Sequence, residues 1–254
     1  MSTNSTATMG RIQSRGARMF SIADRTLFRL SATLLFVGAL LSLVAGYFHP
    51  DHEPANNHHA VFAEYAASTI WTPVHLGQFA GMAVIIAGLF VLFFALNVRT
   101  GAPGWASRFG AVSAAVTLAL YAVLQAVDGV ALKQAVDAWA IAPDAEKAAR
   151  FASAETIRWL EWATRSYQSF MLGLAFILFA SVIVWTARVP RAIGYLMGIS
   201  GLAYLAQGWV IGSEGFSAAN STPTLVGIIA TLAWSIWLLI SAWRMQASVE
   251  ATSG

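Results

Sequence analysis

The chain has no cysteine, few charges and only seven prolines in 254 residues. Without a thiol there is no disulfide, no thiolate metal site, no ordinary iron–sulfur ligation and no cysteine nucleophile. That absence is compatible with either side of a membrane. Charged side chains make up 11% of the sequence and hydrophobic ones 57%, against about 25% and about 45–50% in soluble domains. A water-soluble fold of this length could not bury so much apolar surface and still present a charged exterior, so lipid is the solvent these side chains fit. The sequence also lacks a Gly-rich phosphate loop, a serine nucleophile elbow and a His-x-x-His pair deep in a helix. Catalytic residues are therefore unknown, and whether the chain is an enzyme stays open. The net charge of +3 does not indicate nucleic acid, because the basic residues sit in the N-terminal lead and in short loops, where they act as topology determinants.

What is present is apolar and long. An apolar helix needs about 20 residues to cross the hydrocarbon core. Segments 26–48, 74–98, 107–135, 157–187, 192–212 and 223–243 reach that length. None alternates with a period of two, which excludes a barrel. The expected fold class is all-α, a polytopic six-helix transmembrane bundle over residues 25–244, between a disordered segment 1–24 and a disordered tail 245–254. The third and fourth segments exceed the membrane thickness and are expected to tilt or to project into water. The run Leu30–Phe48 follows Arg11, Arg15, Arg18, Arg25 and Arg29. It is longer than a signal h-region and reads as an uncleaved first span.

Basic residues fall on one side of these spans. Arg99, Arg108, Arg188, Arg191 and Arg244 join the N-terminal arginines there, while Asp51, Glu53, Glu64, Asp137, Asp144, Glu146, Glu155 and Glu214 fall on the other. Lys133, Lys147, Arg150 and Arg158 dilute the acidic side without reversing the asymmetry. The positive-inside rule then puts both termini in the cytoplasm of a multi-pass plasma-membrane protein. Trp71, Trp139, Trp159 and Trp162 fit an outer aromatic belt, and Trp105, Trp185 and Trp243 an inner one. Gly77 with Gly81, and Gly194 with Gly198 and Gly201, let helices approach closely. No internal repeat is visible, which removes the repeat architecture of many transporters.

Two constellations carry chemistry. The first outer loop reads His49-Pro50-Asp51-His52-Glu53-Pro54-Ala55-Asn56-Asn57-His58-His59, and with His75 it holds every histidine of the chain. Imidazole and carboxylate suit a divalent transition metal without thiolate. His49, His52, His58, His59 and His75 are the metal-ligand candidates, against the plain reading of a solvated polar loop. Haem ligation by His49 and His75 would need the two rings to face one cavity. The second constellation lies within the spans. Tyr121, Gln125 and Asp128 share one helical face, as do Glu161, Arg165 and Gln168, with His75 and Gln78 on the second span and Gln207 on the fifth. At ~1.5 Å per residue, Asp128 is about 30 Å from Arg108 and Arg165 about 34 Å from Arg188, both near the outer interface. Polar groups in lipid face the bundle interior and find partners there. These nine residues are thus expected to form a polar cluster open to the outer side. It is either a structural network in which Asp128 or Glu161 neutralises Arg165, or a ligand pocket with a carboxylate as acid or base. In the network reading, Arg165→Ala strands a carboxylate at a cost of roughly 3–5 kcal/mol. Trp234 and Trp237 read as packing. Lys133 and Lys147 lie at the outer boundary, too shallow for a retinal-type Schiff base.

The stretch Val189-Pro190-Arg191-Ala192-Ile193-Gly194-Tyr195-Leu196, followed by Gly201-Leu202-Ala203-Tyr204-Leu205, resembles the DUF4386 family of six-span bacterial membrane proteins, in which a short Pro-Arg loop precedes the fifth helix. The histidine-rich loop does not map onto that family. The resemblance implies a bacterial plasma-membrane location and brings no activity, substrate or catalytic residue. Three functions follow as expectations. A non-catalytic membrane component or small-ligand-binding protein comes first. A membrane enzyme or metal-binding protein needs His75 to meet at least two further histidines and a carboxylate. A small transporter needs a polar path to the inner side, where the spans are almost wholly apolar. The expected partners are the lipid bilayer and a small molecule or metal at the outer face.

Overall fold

The computed structural model describes residues 22–50 and 52–246, with the side chains of Ile22 and Ala23 excepted. The expected disorder of 1–24 and 245–254 therefore lies mostly outside the described residues, as does Asp51. Residues 22–24 already belong to the first helix. The described residues hold helices α1 (Ile22–Tyr47), α2 (His58–Ala67), α3 (Trp71–Leu96), α4 (Gly101–Ala126), α5 (Lys133–Ala140), α6 (Asp144–Thr186), α7 (Arg191–Glu214) and α8 (Ser221–Arg244), and no strand. A π-helical turn, Val127–Leu132, joins α4 to α5 without a break.

All six apolar segments of the sequence fall in helices. Five helical stretches are long and apolar enough to cross a membrane: α1, α3, the continuous 101–140 stretch, α6 and 218–244. The fifth apolar segment forms α7, whose glycines and polar side chains leave it outside that group. Large apolar side chains point outward along these helices. Leu30, Phe94, Phe109, Val112, Leu202, Leu225 and Ile229 are all about half exposed or more. A soluble monomer rarely shows such a surface, whereas a multi-pass membrane protein requires it.

Local chemistry sets the helix ends. Pro143 and Pro190 occupy the caps before α6 and α7, and Asp144 and Glu146 complement the positive end of the α6 dipole. The last carbonyls of α3 have no helical partner. Arg188 supplies one, donating from Nη1 to Ala95 O at 3.0 Å and Leu96 O at 2.8 Å, while its Nη2 pairs with Asp24. Arg29 treats the end of α8 likewise through Ala242 O and Trp243 O. The arginines counted as topology signals thus also tie three helices together at one end.

Packing runs α1 on α3, α3 on α4, α4 on α6, α6 on α7, α7 on α8, and α8 back on α1. Six helices therefore close a ring. Glycines set the closest approaches: a Cβ at Gly201 would stand 2.7 Å from Gly173 O, and one at Gly88 would stand 2.9 Å from Leu35 N. α6 has 43 residues, about 65 Å of helix against a hydrocarbon core of about 30 Å. Its N-terminal part projects beyond the ring with α5 and with α2, a helix within what the sequence reads as loop. Val61, Phe62, Tyr65, Trp71, Leu132, Val136 and Ala154 form a second small core in this cap. Trp71 is buried there and donates Nε1 to Gly129 O, so it does not belong to an aromatic belt. Trp105, Trp159, Trp185 and Trp243 are exposed. Trp234 is buried and donates to Ser200 Oγ; Trp237 faces outward.

Candidate ligand cavity and its histidine–aspartate corner

Inside the ring lies a cavity of about 450 Å³ to which all six ring helices contribute. Such a volume falls in the range of small-molecule sites, about 300–1,000 Å³. Its apolar wall is built from Ala39, Leu43, Met82, Ile85, Leu172, Phe176, Ile228 and Leu232. Its polar wall holds Ser42, Gln78, Tyr121, Gln125, Asp128, Arg158, Glu161, Arg165, Tyr204 and Thr231, with His49 and Glu53 at the cap.

Glu161 pairs with Arg158, not Arg165: Arg158 Nη1 donates to Glu161 Oε2 at 2.6 Å, and both residues are almost wholly buried. The guanidinium also lies 5.0 Å from the Phe216 ring and 5.5 Å from that of Tyr65, a cation–π environment that offsets part of its desolvation. Arg158, counted from sequence among the charges that dilute the acidic outer side, thus takes the place that the network reading gives to Arg165. Arg158 stands three residues before Glu161 in an apolar segment. That i, i+3 spacing on one helical face was the available signal.

Arg165 is half-buried on the cavity wall and donates to Gln168 Oε1 at 3.3 Å. Among the described residues no carboxylate lies within ion-pair distance of it. Several buried polar atoms of the wall are also without a hydrogen-bond partner among the described residues, including Ser42 Oγ, Gln125 Oε1, Asp128 Oδ1 and Thr231 Oγ1. These atoms give the cavity wall a polar side that faces its apolar one.

At the cap end of the cavity His75 and Asp128 meet. His75 Nε2 is 3.1 Å from Asp128 Oδ2, and His75 Nδ1 is held by Trp71 O at 2.8 Å. The π turn brings Gly129 so close that a Cβ there would stand 2.9 Å from His75 Cβ. One extra residue per turn, at a position where an ordinary helix would carry Asp128 elsewhere, is a feature common at functional sites. The His49 ring lies 5.1 Å from that of His75 and 5.3 Å from that of Trp71.

The structure thus brings Gln78, Tyr121, Gln125, Asp128, Glu161 and Arg165 to one cavity, with His75 behind Asp128. Gln125 reaches Gln78 at 3.4 Å. Gln168 supports Arg165 from outside the lining, and Gln207 instead joins α6 to α8 through Ser169 and Thr224. Of the five histidines only His49 and His75 converge. His52 bonds to Glu64, His58 to Glu155 at 2.9 Å, and His59 stacks on Phe151. Missing from the sequence reading are Arg158, Tyr204 and Thr231. The hydroxyls gave no separate signal, because Ser, Thr and Tyr recur throughout apolar helices.

A ring of apolar helices around a polar chamber defines a helical protein of membrane character. Within that class the chain belongs to the DUF4386 family (Domain of unknown function), whose family model matches residues 74–242. The match runs from α3 into α8, includes His75, and leaves the loop with His49 to His59 outside. Comparison with curated proteins and with solved structures finds no match for this chain.

Proposed function

We propose that the chain crosses the bacterial plasma membrane six times, with both termini cytoplasmic, and binds a small amphiphile with an anionic head in its central cavity without transforming it. The sixth crossing is α7, which at 24 residues is about 36 Å long, enough for the hydrocarbon core. Its position between α6 and α8 in the ring supports a crossing. The basic end of the ring, with Arg29, Arg99, Arg188, Arg191 and Arg244, supports a cytoplasmic orientation.

The ligand class rests on one observation. Arg165 offers a cation without a carboxylate partner among the described residues, beside an apolar wall within the same cavity. An uncompensated cation next to buried hydrocarbon favours a carboxylate, phosphate or sulfate head with an apolar tail. The test uses the protein in nanodiscs of zwitterionic lipid, with dodecanoate and dodecanol compared in thermal unfolding. Dodecanoate should raise the Tm, and the rise should keep growing with the logarithm of its concentration, with about 2.7 kcal/mol of stabilisation at one hundred times its Kd. Dodecanol should act weakly, and Arg165→Gln should remove the difference. Equal shifts from both amphiphiles, or a dodecanoate shift retained in Arg165→Gln, would count against the reading.

A further inference from the structure

The geometry points to a divalent transition-metal site formed by His49, His75 and Asp128, with zinc as its best fit. One ligand atom from each of the three lies within 4.8 Å of the others. The chemistry of the set is right for zinc: two imidazoles and one carboxylate, with no thiolate. Zinc–ligand bonds of about 2.0–2.2 Å in a tetrahedron put neighbouring ligand atoms about 3.3 Å apart. His75 Nε2 and Asp128 Oδ2 already stand at 3.1 Å. His49 completes the set, its ring packed 5.1 Å from that of His75.

Two observations beyond proximity support a metal over a plain histidine–aspartate hydrogen bond. Asp128 is only 8% exposed, and its second oxygen, Oδ1, has no partner among the described residues. A buried carboxylate with one acceptor unsatisfied is costly, and a cation relieves it. The second is the outer shell. His75 Nδ1 is held by Trp71 O, and the Trp71 indole is held in turn by Gly129 O beside Asp128. Metal-bound histidines characteristically donate their other nitrogen to a carbonyl or carboxylate, which fixes the tautomer and aims the free nitrogen at the metal. Here that bond leaves Nε2 as the ligand.

Three protein ligands leave one tetrahedral position for water or a ligand oxygen. His49 and Asp128 both line the cavity, so the open position belongs to the chamber. The site does not require the amphiphile and stands independently of it. His52, His58 and His59 are engaged elsewhere and are not ligands.

The test is metal analysis of the full chain, purified through a histidine-free tag, stripped with chelator and reloaded with zinc or cobalt. One equivalent per chain is expected, and the cobalt form should show the visible bands of a four-coordinate ion. Asp128→Asn keeps the side-chain volume, and His49→Gln lies at a partly exposed position, so both should fold. Each should weaken binding by more than about tenfold. His52→Ala and His59→Ala should bind normally, and so should Arg165→Gln, which separates this site from the amphiphile reading. The proposal is overturned by sub-stoichiometric metal, by binding unaffected in both Asp128→Asn and His49→Gln, or by binding lost in His52→Ala or His59→Ala.

Discussion

Arg158 and Arg165 stand two turns apart on α6 and differ in what surrounds them. Arg158 is enclosed with Glu161, so removing one partner leaves the other as a buried unpaired charge. Arg158→Met should cost about 3–5 kcal/mol, and Arg158→Met with Glu161→Leu should recover most of it. Thermal unfolding of the two variants checks this; equal losses would mean that the pair is not the relevant unit. Arg165→Ala strands no carboxylate but leaves the buried Gln168 oxygen without its donor, and should cost about 1–3 kcal/mol, less than the loss that sequence alone suggests for it. Glu64 supplies a pH dependence. Its burial opposes ionisation, but the His52 ring and the backbone N–H groups of His52 and Glu53 outweigh that and hold its carboxyl below the usual range. A carboxyl lowered in the folded state stabilises at pH above its unfolded value, and this is lost as pH falls through the lowered one. The loop 52–57 should therefore loosen on acidification, seen as a fall in the amide protection factors of His52 and Glu53, measured against the intrinsic rate at each pH. Glu64→Gln should show low protection there at every pH, and an unchanged acid response in that variant would remove Glu64 as the cause.

At the scale of elements, the crossing of α6 and α7 depends on the absence of side chains. A Cβ at Gly201 would stand 2.7 Å from both Gly173 O and Ile177 Cγ1, whereas one at Gly198 meets nothing closer than 3.7 Å. Gly201→Ala should destabilise by about 1–3 kcal/mol through overpacking, while Gly198→Ala should be close to neutral. The reverse order in detergent unfolding would contradict the packing described. The sequence marked both glycines as one small-residue stripe, yet only the partner helix decides which of them is needed. The same limit applies to α2. Its ten residues carry too short an apolar run to stand out, and the helix exists because Val61, Phe62 and Tyr65 find Trp71, Leu132 and Val136. The π turn was equally hidden, since Tyr121, Gln125 and Asp128 read as regular helical spacing right up to the point where the helix widens.

For the whole molecule, long apolar runs made the helices legible, because lipid-facing length leaves a compositional trace independent of partners. Ring closure left none. Whether the polar faces of α3, α4 and α6 collapse on one another or stand around a chamber depends on α1, α7 and α8, whose inner faces are largely apolar. The polar residues were therefore identifiable and the cavity was not. Counting charges by side places Arg158 with the acidic end and gives no sign that it pairs with Glu161 inside α6. His49 was visible as one of four loop histidines, and only the fold singles it out by bringing it against His75.

The most direct test of an anionic amphiphile held in the ring is native mass spectrometry of the protein released from membranes, with the bound species identified after extraction. The wild type should carry one molecule with an acidic head and a single apolar chain, and Arg165→Gln should carry none. A chain that flies free of small molecules in both forms, or that carries the same neutral lipid in both, would contradict the account.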